Sequence, residues 1–311
     1  MLDERGKSLK HLSPSTFLKA MNCEHQVKLI KIDKVVDEDL LRQQTMAMAT
    51  GTAFDIMVKA ALNKKINLEE ELSEEVEPKN KAAILLAKEM FECYKLNALP
   101  ALKGEGVAYT AIDSTIDLEW NEWKSVLNGR PDVVMSDGTV IDWKCQGMFG
   151  RGKIPFPGYI RCFKYPGGKD QGSSHTEQFL EQINFDWGVQ LYLYARLLGR
   201  KAGDPKLKAG IENVTIDSSN NVYCASYRTL ISTEFQLNIE RQFHEKWAKF
   251  NYLTLNHSSG LMNHKPDPPQ YHKMKCIKYN QLCNVAQYCS AYQNEIHPSP
   301  NIDKPLIEGL S

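Results

Sequence analysis

The stretch from Gly106 to Lys144 constrains the fold most, because its apolar residues alternate with polar ones and many are β-branched. A two-residue period of this kind is typical of half-buried strands. Turn residues divide the stretch into about four or five segments, and Asp137-Gly138 is a typical hairpin turn. The sequence therefore predicts a meander of about four or five strands in this region.

Segments with the 3.6-residue apolar period of a helix flank these strands on both sides. The predicted elements are a helix beginning after Ser13-Pro14, helices at 42–63 and 80–95, and then, after the strands, a helix at 179–199, a strand at 221–230 and a helix at 232–256. We expect the helix at 42–63 to break or bend near Gly51. This order of elements predicts one α/β domain with helical and cysteine-bearing extensions.

Composition excludes few classes of function. The chain has 311 residues, of which 42% are hydrophobic, enough to bury a sizeable core. Basic and acidic residues balance at 38 each, so no global field indicates a nucleic-acid partner, although a local cluster is compatible with this balance. No apolar run reaches the roughly 20 residues of a membrane span, and the first residues lack the apolar core of a signal peptide. We therefore expect a cytoplasmic protein without membrane contact.

Three ionisable residues interrupt the apolar strand pair at 129–144, namely Asp132, Asp142 and Lys144. The spacing of two places Asp142 and Lys144 on one face of a strand, and Asp132 on the partner strand is expected to reach that face. Buried charges are costly unless they pair or bind a ligand. The two carboxylates and the backbone carbonyl of Trp143 could hold Mg²⁺, and Lys144 could orient a metal-bound water. The alternative is a solvated Asp–Lys pair on the surface.

This segment resembles a nuclease motif. Pro131-Asp132 followed by Asp142-x-Lys144 is similar to the PD-(D/E)xK motif of restriction-endonuclease-like nucleases, and the residues before Pro131 resemble the RecB-like branch. The resemblance implies a restriction-endonuclease-like core, in which helices flank a mixed central sheet. It implies that this core hydrolyses phosphodiester bonds with a divalent ion. It also implies that the two aspartates bind the ion and that Lys144 positions the attacking water.

Two further motifs match the RecB-like branch. Gln190-x-x-x-Tyr194 resembles a helical motif that contacts the nucleic-acid backbone or steadies the lysine, whereas the simpler interpretation is a core-facing aromatic residue. Gly51-x-x-x-Asp55 matches the frame in which this branch has a metal-binding histidine. Asp55 departs from that pattern, but a carboxylate also binds a hard cation. The weaker candidates for the remaining acidic ligand are Glu105 and Glu119.

The eight cysteines include Cys23 in the N-terminal part of the sequence and a C-terminal group of Cys276, Cys283 and Cys289. Without a secretory signal, metal or cluster binding is favoured over a disulfide framework. The segment before Cys23 resembles the opening of RecB-like nucleases that hold an iron–sulfur cluster, which implies that these four thiolates bind a 4Fe–4S cluster. Zinc is the alternative, with His25 and His272 as further ligands. Buried cysteines without a metal are the third interpretation.

The segment 146–178 is rich in Gly, Pro, basic and aromatic residues. Loops of this length are usually functional or mobile. Basic side chains neutralise phosphates and aromatic rings stack on unpaired bases, so the segment is a candidate nucleic-acid interface. The predicted contact residues are Arg151, Lys153, Arg161 and Lys164, together with Tyr194 of the following helix.

Taken together, the resemblance implies a Mg²⁺- or Mn²⁺-dependent deoxyribonuclease, an exonuclease acting on DNA ends or single strands. It is similar to the CRISPR-associated RecB-like exonuclease and to the nuclease domains of helicase–nuclease repair complexes. The implied organisation is a single domain over 1–311, with a helical part at 12–100, a nuclease core at 101–256 and a cysteine-bearing tail at 257–311.

No helicase phosphate-binding motif is present, so a helicase or recombination protein would be a partner. The resemblance implies work in the cytoplasm of a bacterium or of a phage-infected cell. Two other functions remain open: a non-catalytic DNA-end-binding or assembly module on the same scaffold, and a zinc-stabilised nucleic-acid-binding protein.

Overall fold

The computed structural model of the chain describes residues 11–35, 44–63, 65–110, 114–120, 123–146, 161–164, 185–216, 222–259, 277–278, 281–283 and 289. The chain divides into two compact units, one formed by 11–15 and 43–247 and the other by 1–10, 16–42 and 248–311. The prediction of a single domain over 1–311 stays a prediction. Within the described part, no helix is long and apolar enough to cross a membrane.

Helices dominate the first hundred residues. They are α1 (Pro14–Asn22), α2 (Glu24–Val27), a π-helical turn at Lys28–Ile32, α3 (Met46–Leu62), α4 (Leu68–Glu75), a 3₁₀ turn at Pro78–Asn80, α5 (Lys81–Asn97) and α6 (Leu99–Glu105).

Strands and two long helices follow. They are β1 (Val107–Thr110), β2 (Ser114–Trp120), β3 (Trp123–Gly129), β4 (Val133–Met135), β5 (Val140–Gln146), β6 (Arg161–Lys164), α7 (Phe185–Leu197), β7 (Lys208–Ile216), β8 (Val222–Leu230), α8 (Thr233–Ser259), β9 (Ile277–Lys278) and β10 (Gln281–Leu282).

The central sheet has six strands in the order β1-β4-β5-β7-β8-β6. Strands β5 and β7 pair in parallel, with Asp142 opposite Ile211, and the other pairs are antiparallel. The sheet is therefore mixed, as the resemblance implies. Strand β5 lies between β4 and β7. These neighbours pair with its two edges, and its two faces can pack against helices.

The core forms where α3 and α5 pack on one face of this sheet. Phe54 and Tyr94 from the helices are fully buried with Ile141 and Trp143 of β5. The indole Nε1 of Trp143 donates a hydrogen bond to the hydroxyl of Tyr94 at 3.0 Å, which satisfies both polar atoms in the core. Because side chains alternate along a strand, the residues between and after these two, Asp142 and Lys144, point to the opposite face.

Helix α7 packs against β5 and β3 and is held by a buried carboxylate. Glu240 of α8 is 0% exposed and accepts a hydrogen bond from the hydroxyl of Tyr192 at 2.6 Å and from the guanidinium of Arg196 at 3.0 Å. His244 of α8 lies 3.5 Å from the same carboxylate, and its Nδ1 is 3.0 Å from the hydroxyl of Ser125 in β3. This network fixes one side of α7.

The predicted meander is wrong in its pairing, although the region does contain five strands. Strands β2 and β3 form a separate two-stranded hairpin, and β1 pairs with β4 instead of with its neighbour in sequence. The hairpin between β4 and β5 is present, with Gly138 at a φ of 80°. That conformation favours glycine, which explains the turn signal at Asp137-Gly138.

The predicted break near Gly51 is also wrong, because α3 is continuous from Met46 to Leu62. Thr45 caps its start by accepting a hydrogen bond from the N–H of Met48 at 3.2 Å. Burial of Ala53 and Phe54 stabilises the middle of the helix and outweighs the helix-disfavouring effect of a single glycine.

Candidate active site

The first predicted acid, Asp132, lies just before β4 and not inside it as expected. Strand β4 has only three residues, and Pro131 ahead of it cannot donate a ladder hydrogen bond. The N–H of Trp143 in β5 therefore extends past the paired part of the β4–β5 ladder. A carboxylate oxygen of Asp132 accepts a hydrogen bond from this N–H at 3.2 Å, which fixes the side chain beside Asp142.

The second acid, Asp142, is buried at 3% exposure and forms an ion pair with Lys144. The ammonium lies against Oδ2 of this carboxylate. Burial raises the pKa of Asp142 to about 8, the neighbouring Lys144 opposes this rise, and the nearby carboxylate of Asp132 adds to it. A buried carboxylate in this state is a recognised mark of a functional site.

The third acid, Asp55, reaches the same cluster from α3. Burial, followed by the charge of Asp132, raises the pKa of Asp55 to about 6, while Lys59 opposes the rise. One carboxylate oxygen, Oδ1, is buried without a hydrogen-bond partner. The structure therefore brings the three predicted aspartates together, with Asp132 electrostatically coupled to each of the other two.

The face of α7 opposite Glu240 orients Lys144. The ammonium of Lys144 donates to the side-chain oxygen of Gln190 at 2.9 Å, and the amide nitrogen of Gln190 donates to the hydroxyl of Tyr194 at 2.9 Å. Gln190 thus links the predicted Gln-x-x-x-Tyr pair to the lysine. Burial raises the pKa of Tyr194 and the charges of Asp142 and Asp132 add to the rise, so this hydroxyl stays protonated.

Close packing of α7 explains the glycine ahead of Pro131. A Cβ on Gly129 would lie 2.8 Å from Cδ1 of Leu197 and 3.3 Å from Cε1 of Tyr194. A larger residue would therefore require the side chains of Leu197 and Tyr194 to shift.

Two residues of the site were missed by the sequence interpretation. Lys59 pairs with Asp55 and lies 3.5 Å from a carboxylate oxygen of Asp132. Trp187 places its ring centroid 5.9 Å from the ammonium of Lys144. Spacing offered a signal for both, since Lys59 is one helical turn after Asp55 and Trp187 is one turn before Gln190.

The donor set of the cluster suits a hard divalent cation. Carboxylate oxygens are the ligands that Mg²⁺ and Mn²⁺ prefer, and Oδ1 of Asp55 is buried without a hydrogen-bond partner. In the described part of the chain, no three His, Cys, Asp or Glu side chains are arranged so that they could hold a metal ion. The ammonium of Lys59 lies between Asp55 and Asp132 instead. Binding of the ion by the backbone carbonyl of Trp143 stays a prediction.

Other predicted residues lie elsewhere or outside the described residues. Glu105 pairs with Arg228 at 3.2 Å, and Glu119 is exposed on β2. Of the predicted nucleic-acid contacts in the segment 146–178, Arg151 and Lys153 lie outside the described residues. Arg161 and Lys164 lie on β6, an edge strand of the central sheet, and their side chains are not described.

Three of the four predicted cluster cysteines are described. Cys23, Cys283 and Cys289 are half-buried cysteines, whereas Cys276 and the alternative ligand His272 lie outside the described residues. The side-chain amide of Gln26, one turn after Cys23, lies 3.7 Å from the sulfur of Cys283. Burial, followed by the charge of Lys28, lowers the pKa of His25, so this alternative ligand is held neutral.

Comparison with known proteins supports the fold. No protein-family model matches the sequence, and no curated protein matches it. A crystal structure of a "Putative exonuclease" from Eubacterium rectale aligns over 100% of this chain and 96% of its own, with a TM-score of 0.52 and 12% sequence identity. The crystal structure of SSO0001 aligns over 82% of this chain and 92% of its own at 15% identity, with a TM-score of 0.32.

The predicted fold class is confirmed. The mixed central sheet flanked by helices has the arrangement of a restriction-endonuclease-like core and matches the fold of a protein described as an exonuclease. At 12% identity the likeness extends to the fold alone.

Proposed function

We propose that this protein is a Mg²⁺- or Mn²⁺-dependent deoxyribonuclease, an exonuclease that acts on DNA ends or single strands. The observation that carries the proposal is the pair Asp132 and Asp142 beside Lys144 on the sheet, with Asp142 buried and its pKa raised to about 8. A purely structural carboxylate is normally surrounded by enough donors to keep it ionised. The likeness of the fold to an exonuclease is consistent with this function.

In this proposal Asp55, Asp132 and Asp142 would hold the divalent ion. The ion would supply positive charge that activates water and stabilises the charge developing on the scissile phosphate. Asp132 is preoriented because it accepts the N–H of Trp143 at 3.2 Å. The burial of Asp142 strengthens its electrostatic interaction with a cation.

Lys144 would position the attacking water and contact the phosphate. Its ammonium is held at 2.9 Å by Gln190, and Gln190 is held in turn at 2.9 Å by Tyr194. Two successive hydrogen bonds restrict the ammonium to a small region beside Asp142, which reduces the entropy lost when substrate binds. The half-buried ring of Trp187 lies on the same side of the ammonium and would limit solvent access.

Digestion of end-labelled single- and double-stranded DNA tests this function, with Lys144→Ala as the inactive variant and Lys95→Ala as a matched control. Lys95 is an exposed lysine on α5 that pairs with Glu92. We expect wild type and Lys95→Ala to degrade DNA equally with Mg²⁺ or Mn²⁺ and not with EDTA. Lys144→Ala should be slower by about 10²–10³-fold or more, the usual effect of removing one preoriented stabilising group. Undiminished degradation by Lys144→Ala would reject the proposal.

A non-catalytic DNA-end-binding or assembly module is the second candidate. The observation that favours it is the ammonium of Lys59 between Asp55 and Asp132, together with an aspartate at the position where RecB-like nucleases have histidine. The same digestion separates the two functions, because a binding module would retain end-labelled DNA in EDTA and would not degrade it with either metal.

The cysteines would hold a 4Fe–4S cluster that joins the two ends of the chain. The support is the half-buried state of Cys23, Cys283 and Cys289 and the 3.7 Å approach of Gln26 to Cys283 within one unit. Protein purified without oxygen should be brown and absorb broadly near about 400 nm, as iron–sulfur proteins do. A colourless protein with stoichiometric zinc would favour the zinc-stabilised alternative instead. A helicase or recombination protein as partner, and action in the cytoplasm, belong to the same proposal.

A further inference from the structure

Lys59 is a buried lysine at the acidic cluster. Its exposure is 8%, and among the described residues no other lysine is buried. The ammonium pairs with Asp55 one turn earlier on α3 and lies 3.5 Å from a carboxylate oxygen of Asp132. A buried ammonium is costly unless its charge is compensated, so its position beside two carboxylates is electrostatically required.

The ammonium of Lys59 compensates the negative charge of Asp55, which a histidine at position 55 would not carry. Asp55 adds one negative charge to a cluster that already holds Asp132 and Asp142, and like charges at this range repel strongly in a partly buried site. The spacing of four residues places Lys59 on the helical face of Asp55. Asp55 and Lys59 therefore act as one charge-balanced pair on α3.

We propose that Lys59 is a built-in counter-cation that occupies the Asp55–Asp132 carboxylate pair in the metal-free protein and leaves it when a divalent ion binds. This inference rests on the proposed metal site. The ammonium and a divalent ion compete for the same two carboxylates, Asp55 and Asp132, and repel each other, so both cannot be bound closely at once. A lysine has a flexible four-carbon stem and can withdraw, whereas Asp55 is held on α3 and Asp132 is held by the N–H of Trp143. Lys59 is thus a positioning residue that sets the metal affinity of the site.

The test measures Mn²⁺ affinity by isothermal titration at pH 8 for wild type, Lys59→Met, Lys59→Gln and Lys59→Arg, in the absence of DNA. We expect about tenfold or tighter binding for Lys59→Met and Lys59→Gln, because the ion no longer displaces a unit positive charge. Lys59→Arg keeps the charge and should bind within about threefold of wild type. A merely structural role for Lys59 would leave the affinity unchanged or weaken it.

Thermal unfolding without metal provides the second readout. Lys59→Met should unfold at a lower temperature than wild type, since it leaves the Asp55 and Asp132 charges uncompensated. The double variant Asp55→Asn/Lys59→Met should recover most of that loss. Lys59→Gln, which keeps a polar end, serves in place of Lys59→Met if the latter does not fold.

The outcomes separate this inference from the proposed function. Mn²⁺ binding to wild type with no tightening in Lys59→Met or Lys59→Gln would overturn the inference and leave the nuclease proposal standing. Absence of Mn²⁺ binding in wild type and in all three variants would overturn both.

Discussion

Two buried carboxylates on opposite sides of α7 behave in opposite ways. Glu240 and Asp142 are 0% and 3% exposed. Burial pushes the pKa of Glu240 upward, but its interactions with His244, Arg196 and Tyr192 outweigh this and hold the pKa below its ordinary value. Asp142 has Lys144 as its counter-ion and the carboxylate of Asp132 beside it, and burial raises its pKa to about 8.

The difference teaches that burial alone does not identify a functional carboxylate. Glu240 is surrounded by donors from α7 and α8, so its charge stabilises the helix pair. Asp142 has too few donors for its charge, so a proton or a cation that joins the cluster stabilises the folded protein. Helix α7 contacts both regions, with Tyr192 and Arg196 at Glu240 and with Gln190 and Tyr194 at Lys144.

The largest effect on stability is expected from Glu240→Gln. This change removes the buried charge that pairs with the half-buried guanidinium of Arg196, which should cost about 3–5 kcal/mol of the free energy of unfolding. Urea unfolding at pH 7.5 measures the loss, and DNA cleavage per folded molecule should stay close to that of wild type. A loss below about 1 kcal/mol would mean that the charge of Glu240 does not stabilise the pairing of α7 with α8.

The pH dependence of stability should show that the pKa of Asp142 is raised, in contrast to that of Glu240. Its pKa is raised from the ordinary 3.8 to about 8, so its contribution to metal-free stability is complete below pH 4 and is lost as the pH rises towards 8. Asp142→Asn removes this loss and should be more stable than wild type by about 1–3 kcal/mol at pH 9, and similar to it at pH 4. Urea unfolding in EDTA at both pH values tests this, and parallel pH profiles of the two proteins would contradict it.

A matched pair of tyrosines on α7 gives a smaller effect. Tyr194→Phe removes the hydroxyl that accepts from Gln190, and Tyr192→Phe removes the one that donates to Glu240. We expect Tyr194→Phe to lower kcat about fivefold to tenfold with little change in KM, and Tyr192→Phe to lower stability by about 1–2 kcal/mol without changing kcat. Equal effects of both changes on kcat would remove the distinction between the two faces of α7.

Local spacing made most of the candidate site predictable. A strand period of two placed Asp142 with Lys144, and a helical spacing of four placed Gln190 with Tyr194. The pairing of β1 with β4 could not be predicted, because the choice between partner strands depends on contacts distant in sequence. Strand β7 was missed because Glu212 interrupts its apolar pattern, and its charge is satisfied only by Arg228 and Ser226 on β8.

Lys59 was missed for a related reason. Its spacing from Asp55 was visible in the sequence, but a lysine at this distance from an acid is ordinarily an exposed helix pair. Only the approach of Asp132 to 3.5 Å makes it part of the acidic cluster, and that contact joins α3 to the residue before β4.

Thermal unfolding of wild type and Asp142→Asn at pH 8, with and without Mn²⁺, tests most directly whether the acidic cluster is a metal site. With Mn²⁺ at about 100 times its Kd, binding should add about 2.7 kcal/mol to the stability of wild type. That corresponds to a rise of about 5 °C or more in the melting temperature, whereas Asp142→Asn should change by less than about 1 °C. Equal rises in the two proteins would contradict the assignment of the metal to this cluster.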